Sequence, residues 1–80
     1  MTRYYFDVVE DGRISLDTEG TELPDAEAAR VEATQALAEL IRDALPGART
    51  KQVTMTVRDQ SDREQLKLDL QFRTIAPFAR

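Results

Sequence analysis

The chain contains no cysteine, no histidine and no tryptophan. Without cysteine, neither a disulfide framework nor a thiolate metal site can form. Without histidine, the usual general base near neutral pH is missing, and with it the commonest metal ligand. No apolar run approaches the ~20 residues of a transmembrane helix. The opening Met1-Thr2-Arg3-Tyr4-Tyr5 has no apolar h-region of a signal peptide. A cytoplasmic protein with no membrane partner is therefore expected. There is also no G-x-G-x-x-G and no P-loop to cradle a phosphate.

What remains is a composition of 41% hydrophobic and 32% charged residues, that of a folded domain rather than a disordered segment. Residues 1–80 read as one domain. A chain this short buries only roughly 60% of its unfolded surface, so one modest core is expected. The net charge of −4 is unevenly spread. Asp7, Glu10, Asp11, Asp17, Glu19, Glu22, Asp25 and Glu27 face the single Arg13 between residues 7 and 27, whereas basic residues prevail slightly from residue 28 onward. The acidic part repels phosphate backbones and the rest attracts them only weakly, so nucleic acid is not an expected partner.

Tyr4-Tyr5-Phe6-Asp7-Val8-Val9 is aromatic and β-branched and predicts a strand over about 3–9. Glu10-Asp11-Gly12-Arg13 is a turn, with Gly12 at a position needing positive φ. A short second strand follows at 14–16, and then a polar loop from Asp17 to Leu23 that bends at Gly20. Asp25 is placed to cap a helix over about 25–45, with Glu22 and Glu27 complementing its dipole. Ala26, Ala29, Ala33, Ala36, Leu37, Leu40, Ile41 and Ala44 form one apolar stripe, the pattern of a helix lying on a sheet. Pro46-Gly47 ends it. Val53, Met55 and Val57 alternate with Thr54, Thr56 and Arg58 over 52–58. Leu66, Leu68, Leu70 and Phe72 alternate with Lys67, Asp69, Gln71 and Arg73 over 64–74. With the polar turn between them these make an antiparallel hairpin.

The expectation is an α+β fold, ββαββ, with one helix on one face of a four-stranded antiparallel sheet of order 2-1-3-4. Leu37, Leu40 and Ile41 should pack on Phe6, Val8, Met55, Leu68 and Leu70. The opposite sheet face should be polar and wet.

Arg3-Tyr4-Tyr5-Phe6-Asp7, Asp11-Gly12 and Glu19-Gly20-Thr21-Glu22-Leu23-Pro24-Asp25-x-Glu27-Ala28-Ala29 together resemble small bacterial proteins grouped as a domain of unknown function. Those proteins are frequent in alphaproteobacteria and open on an R-Y-[YF]-F-[DH]-like strand. Val57-Arg58-Asp59 before a turn also fits them. The resemblance covers nearly the whole chain; it implies no activity and transfers no catalytic residue. A looser architectural likeness, to HicB-like antitoxins, pairs a short sheet with an alanine-rich helix, but the DNA-binding tail of such antitoxins is absent here. Architecture alone does not fix function.

Glu10-Asp11 and the Asp17, Glu19, Glu22 group are the carboxylates to weigh as acid–base or cation sites. Asp17-Thr18-Glu19-Gly20-Thr21-Glu22 only faintly resembles a calcium loop, and solvated or dipole-facing carboxylates are the simpler reading. Ser15 and Ser61 have only Lys51 and Lys67 as amine bases, so no triad can be assembled. No catalytic residue, cofactor or metal is expected, and the protein is read as non-enzymatic. On the wet face Tyr5 is the one outward aromatic, beside Arg3, Arg58, Lys67 and Arg73, with Asp7 and Asp69 diluting the charge. Ile75 and Phe78, in a tail unusually apolar for a terminus, complete the candidate interaction surface. The tail either folds over the open end of the core or docks on a partner. The fourth strand is a long edge, so a homodimer through that strand and the tail is expected, or another protein partner there. A nucleic-acid-associated regulator of antitoxin type is the alternative.

Overall fold

The structure is a computed structural model that describes residues 1–76. Strand β1 spans Thr2–Glu10. It turns through Asp11 and Gly12, at φ of 50° and 88°, into β2, Arg13–Ser15. A two-residue turn with positive φ at both positions matches the twist of the strands it joins. After a loop, β3 spans Thr21–Leu23. Helix α1 runs Ala26–Ala44, with Asp25 as N-cap accepting a 2.9 Å hydrogen bond from the Ala28 N–H. Pro46 lies in a 3-10 turn, Leu45–Gly47, that ends the helical segment. Strands β4, Thr50–Asp59, and β5, Glu64–Arg73, close the chain as a long hairpin.

The sheet is antiparallel and open, with the path β2-β1-β4-β5. It has five strands, where the sequence reading gives four. The additional one is β3, within the segment read as a polar loop. Its three residues pair with Thr2, Arg3 and Tyr4 of β1. Strand β1 is nine residues long, and β2 covers only its far end, at Val8–Glu10. The backbone groups of Thr2–Tyr4 on that same edge are left for β3, and hydrogen-bonding them is what turns an otherwise polar Thr-Glu-Leu into a strand. So β2 and β3 lie end to end along one edge of β1, with residues 16–20 looping between them.

The helix packs on one face of the sheet. The buried core is Tyr4, Val53, Met55 and Val57 from the strands with Ala29, Ala33 and Leu37 from the helix. Phe6, Val8, Leu23, Leu40, Ile41, Leu66, Leu68 and Leu70 are half-buried around it. Alanine at the two fully buried helix positions lets α1 approach β4 closely. Two details depart from expectation. Ala36 is exposed, at the flank of the stripe whose buried centre runs through Ala29, Ala33 and Leu37. Leu40 and Ile41 are only half-buried, so Leu37 is the principal anchor of the helix.

Candidate functional site

Register decides what the wet face carries. Pairing of β1 with β4 sets Tyr5 opposite Arg58 and Asp7 opposite Thr56. The Arg58 guanidinium lies over the Tyr5 ring, 4.5 Å from its centroid, a cation–π contact. Its Nε donates to Asp7 Oδ2 at 2.7 Å, its Nη1 to Asp62 Oδ1 at 3.0 Å and its Nη2 to the Asp17 carbonyl oxygen at 3.0 Å. The bond to Asp7, above all, holds the Arg58 proton more tightly than usual. Among the ion pairs of the described residues, only Arg58–Asp7 has both side chains under a quarter exposed, at 24% and 14%.

Asp7 and Asp17 carry this cluster into the loop. Asp7 Oδ1 accepts from the Asp17 N–H at 2.9 Å. Asp17 Oδ2 accepts from the Phe6 N–H at 3.1 Å, in the gap between β2 and β3, where no strand carbonyl reaches β1. Asp17 Oδ1 accepts from the N–H groups of Glu19 and Gly20. Burial raises the pKa of the Asp17 carboxyl, but the N–H donors of Gly20, Phe6 and Glu19, with the nearby Arg58, outweigh it and hold the group below its usual range. Gly20, at φ 73°, then lies against the side chains of Arg3 and Tyr5. Arg3 donates to the Glu19 carbonyl oxygen and to Glu22.

Arg3, Tyr5 and Arg58 are thus brought together, but their cations are bonded to this chain's own acceptors. They tie the 16–22 loop to the sheet rather than forming an open basic platform. Lys67 lies on β5, across from Thr56, and Arg73 at the far end of that strand, across from Thr50. Both are exposed, and β4 lies between their strand and that of Arg3 and Tyr5. Ile75 is 72% exposed. Phe78 lies outside the described residues. At the opposite end from Arg3, a cleft of about 360 Å³ is lined by Val8, Glu10, Asp11, Ile14 and Lys51. The Lys51 ammonium sits between the Glu10 and Asp11 carboxylates, bonds that raise its pKa. Glu10, Asp11 and Lys51 therefore satisfy one another, while Arg13, which also lines the cleft, is exposed. Among the described residues, no group of three or more Asp and Glu side chains is arranged to hold a metal ion, and no helix is long and apolar enough to cross a membrane.

Sequence reasoning singled out Arg58, Tyr5 and Arg3 but assigned no bonds to Asp7 and Asp17. A signal for Asp7 existed: it shares a strand face with Tyr5, so any register placing a basic residue opposite Tyr5 brings that residue within reach of Asp7 as well. The bonds of Asp17 depend on where β2 stops, which the sequence does not mark.

Replacing Asp17 by alanine removes the acceptor of three backbone N–H groups and is expected to cost about 1–3 kcal/mol, read from urea unfolding. The folded pKa of Asp17 lies below its unfolded value of about 3.9. Its contribution is then fully present above that value and is lost as the pH falls through the folded pKa. The variant should show a shallower loss of stability below about pH 4 than the parent. Equal acid slopes would place the sensitivity on Asp11 and Asp59 instead, whose pKa values are lowered too, chiefly by the backbone N–H groups of Gln52 and Arg63 respectively.

Together these features define a small α+β domain with an open antiparallel sheet, a helix on one face and an internally bonded polar cluster on the other. Residues 3–71 match the family described as a domain of unknown function (DUF6894), and the chain belongs to it. No curated protein and no solved structure matches the chain.

Proposed function

We propose that the protein is a non-enzymatic binding module that engages its partner by strand addition at the outer edge of β5, and that the partner is a second copy of the chain. One observation carries this reading. Strand β5 is ten residues long, contains no proline and ends the sheet path, so among the described residues its outer backbone groups are unpaired. Such an edge is a template for another strand. The side chains point the same way: Leu66, Leu68 and Leu70 remain only half-buried under α1. A two-fold partner would extend the sheet and bring its own helix alongside the first.

A non-enzymatic role is favoured because Asp7 and Asp17, the carboxylates nearest Tyr5, are occupied by Arg58 and by backbone N–H groups. The alternative, a nucleic-acid-associated regulator, is less well supported, since Arg3 and Arg58 are each paired with a carboxylate of this chain. Sedimentation equilibrium across the micromolar range tests the proposal. The expected result is a concentration-dependent mass that reaches two chains. A single-chain mass throughout, up to high micromolar, overturns it.

A further inference from the structure

We infer that the two copies meet in one register, centred on Leu68, with Lys67 of each chain directly across from Asp69 of the other. The inference rests on the reading of β5 as the docking edge and adds to it which residues face which.

The argument begins with what the edge permits. Strand β4 pairs regularly with β5 from Thr50↔Arg73 to Val57↔Leu66, and then Arg58 pairs with Glu64. Gln65 is the extra residue of a β-bulge. A bulge twists an edge and ends regular pairing there. The regular part of the edge is therefore Leu66–Arg73.

Two-fold antiparallel pairing of a strand with itself places residues opposite each other at equal distances on either side of a central residue. Opposite residues share a sheet face, so Lys67, Asp69, Gln71 and Arg73 meet only one another on the wet face, and Leu66, Leu68, Leu70 and Phe72 meet on the helix face. Each register then has a definite charge pattern. Centred on Lys67 or on Asp69, the strand sets Lys against Lys or Asp against Asp. Centred on Leu70, it sets Lys67 against Arg73. Like charges directly opposite destabilise a strand pair.

Two centres remain. A centre at Gln71 sets Asp69 against Arg73 over an equal length of edge, but its only apolar match is Leu70 against Phe72. A centre at Leu68 sets Lys67 against Asp69 twice, symmetrically. It also stacks Leu68 on Leu68 and Leu66 on Leu70 at both ends, covering the half-buried leucines. The Leu68 centre combines opposite charges with the fuller apolar match. The side chains are disposed for it. The Lys67 ammonium is half-exposed, with only a long contact of 3.9 Å to Glu64. Asp69 is exposed and accepts from Thr54 Oγ1 through Oδ1, which leaves its second carboxylate oxygen to take a further donor. The sequence Lys67-Leu68-Asp69 is thus self-complementary about its middle residue, a property that a sheet edge made for an unrelated strand does not need.

Charge reversal with rescue tests the register. Lys67→Asp sets Asp against Asp at both positions, and Asp69→Lys sets Lys against Lys. Each variant alone should dimerise at least tenfold more weakly than the parent in sedimentation equilibrium. Mixed in equal amounts, the two should form a heterodimer, because every contact then pairs Asp with Lys. The heterodimer also serves as the folding control, since it forms only from two folded chains. A second readout uses the absence of cysteine: a Leu68→Cys chain carries one thiol and should oxidise to a covalent dimer faster than a Lys67→Cys or Asp69→Cys chain. If the parent dimerises but Lys67→Asp leaves it unchanged, the register is wrong and docking at β5 stands. If Arg73→Asp, rather than Lys67→Asp, breaks the dimer, the centre is Gln71 and the inference is overturned. If the parent is a monomer at every concentration, the docking edge fails, and the register with it.

Discussion

Truncating Leu37 to alanine is expected to destabilise the domain by about 2–5 kcal/mol, measured as a shift in the urea unfolding midpoint at constant slope. The expectation follows from how little the helix has to bury. Its three buried residues are Ala29, Ala33 and Leu37, and two of those contribute a single methyl group each. Leu37 supplies the one large side chain, 6% exposed, that the helix seats fully on Val53, Met55 and Val57. Its removal leaves a cavity that neighbouring alanines cannot fill. Small domains hold only about 5–15 kcal/mol in total, so the loss is a large fraction of the whole. Leu40→Ala, at a half-buried position, should cost less. If the Leu40 variant is the weaker of the two, the helix sits rotated from the face described above.

Gly20→Ala is expected to cost about 2–5 kcal/mol, the sum of two separate effects. The residue has φ 73°, a region in which a side chain costs about 1–2 kcal/mol. A Cβ at this position would also lie 2.8 Å from Arg3 Cγ, 2.9 Å from Tyr5 Cε1 and 3.0 Å from the Tyr4 carbonyl oxygen. Crowding of that degree typically adds about 1–3 kcal/mol. The Tyr4 oxygen belongs to β1 and cannot yield, and the loop cannot swing away without breaking the bonds Asp17 makes to it. The chain supplies its own controls. Gly12 has positive φ but open space around it, and Gly47 has open space and no positive φ. Thermal or urea unfolding should therefore rank the alanine variants Gly20 worst, Gly12 intermediate at about 1–2 kcal/mol, and Gly47 near neutral. Equal losses at Gly20 and Gly12 would show that backbone conformation alone matters and that the loop does not press on Tyr5.

The contrast between the two faces of the sheet explains what could be read from the residues. Alternation in Val53-Thr54-Met55-Thr56-Val57 and the stripe in α1 are local, repeated signals, and from them the α+β class, the helix and the long hairpin follow. The fifth strand was not legible, because Thr21-Glu22-Leu23 has no alternation to speak of and becomes a strand only where β1 leaves backbone groups unpaired. The candidate surface was half legible. Side-chain parity placed Arg3, Tyr5 and Arg58 on the wet face, but a cation looks free in a sequence until its carboxylate is located. Asp7 and Arg58 are far apart along the chain and meet only through the register of β1 and β4. Asp17 is further hidden, since its side chain does the work of a missing strand carbonyl. The exposed Lys67 and Asp69 stand on the long edge of the sheet, the other being formed by the three-residue β2 and β3, and that long edge was visible from strand length and the absence of proline.

The placement of β1 bears on the order in which the polypeptide can acquire its structure. β1 is made first, yet it lies inside the sheet, and its longest partner is β4, so that Tyr4 must wait for Asp59. During synthesis the aromatic strand, β2, β3 and the alanine-faced helix all emerge before Val53, Met55 and Val57 exist to cover them. Closing that span demands a large loss of chain entropy before any of its contacts is gained. The nascent protein therefore carries Tyr4, Phe6 and Val8 uncovered until the β4–β5 hairpin arrives, and the core can condense only once that hairpin has emerged.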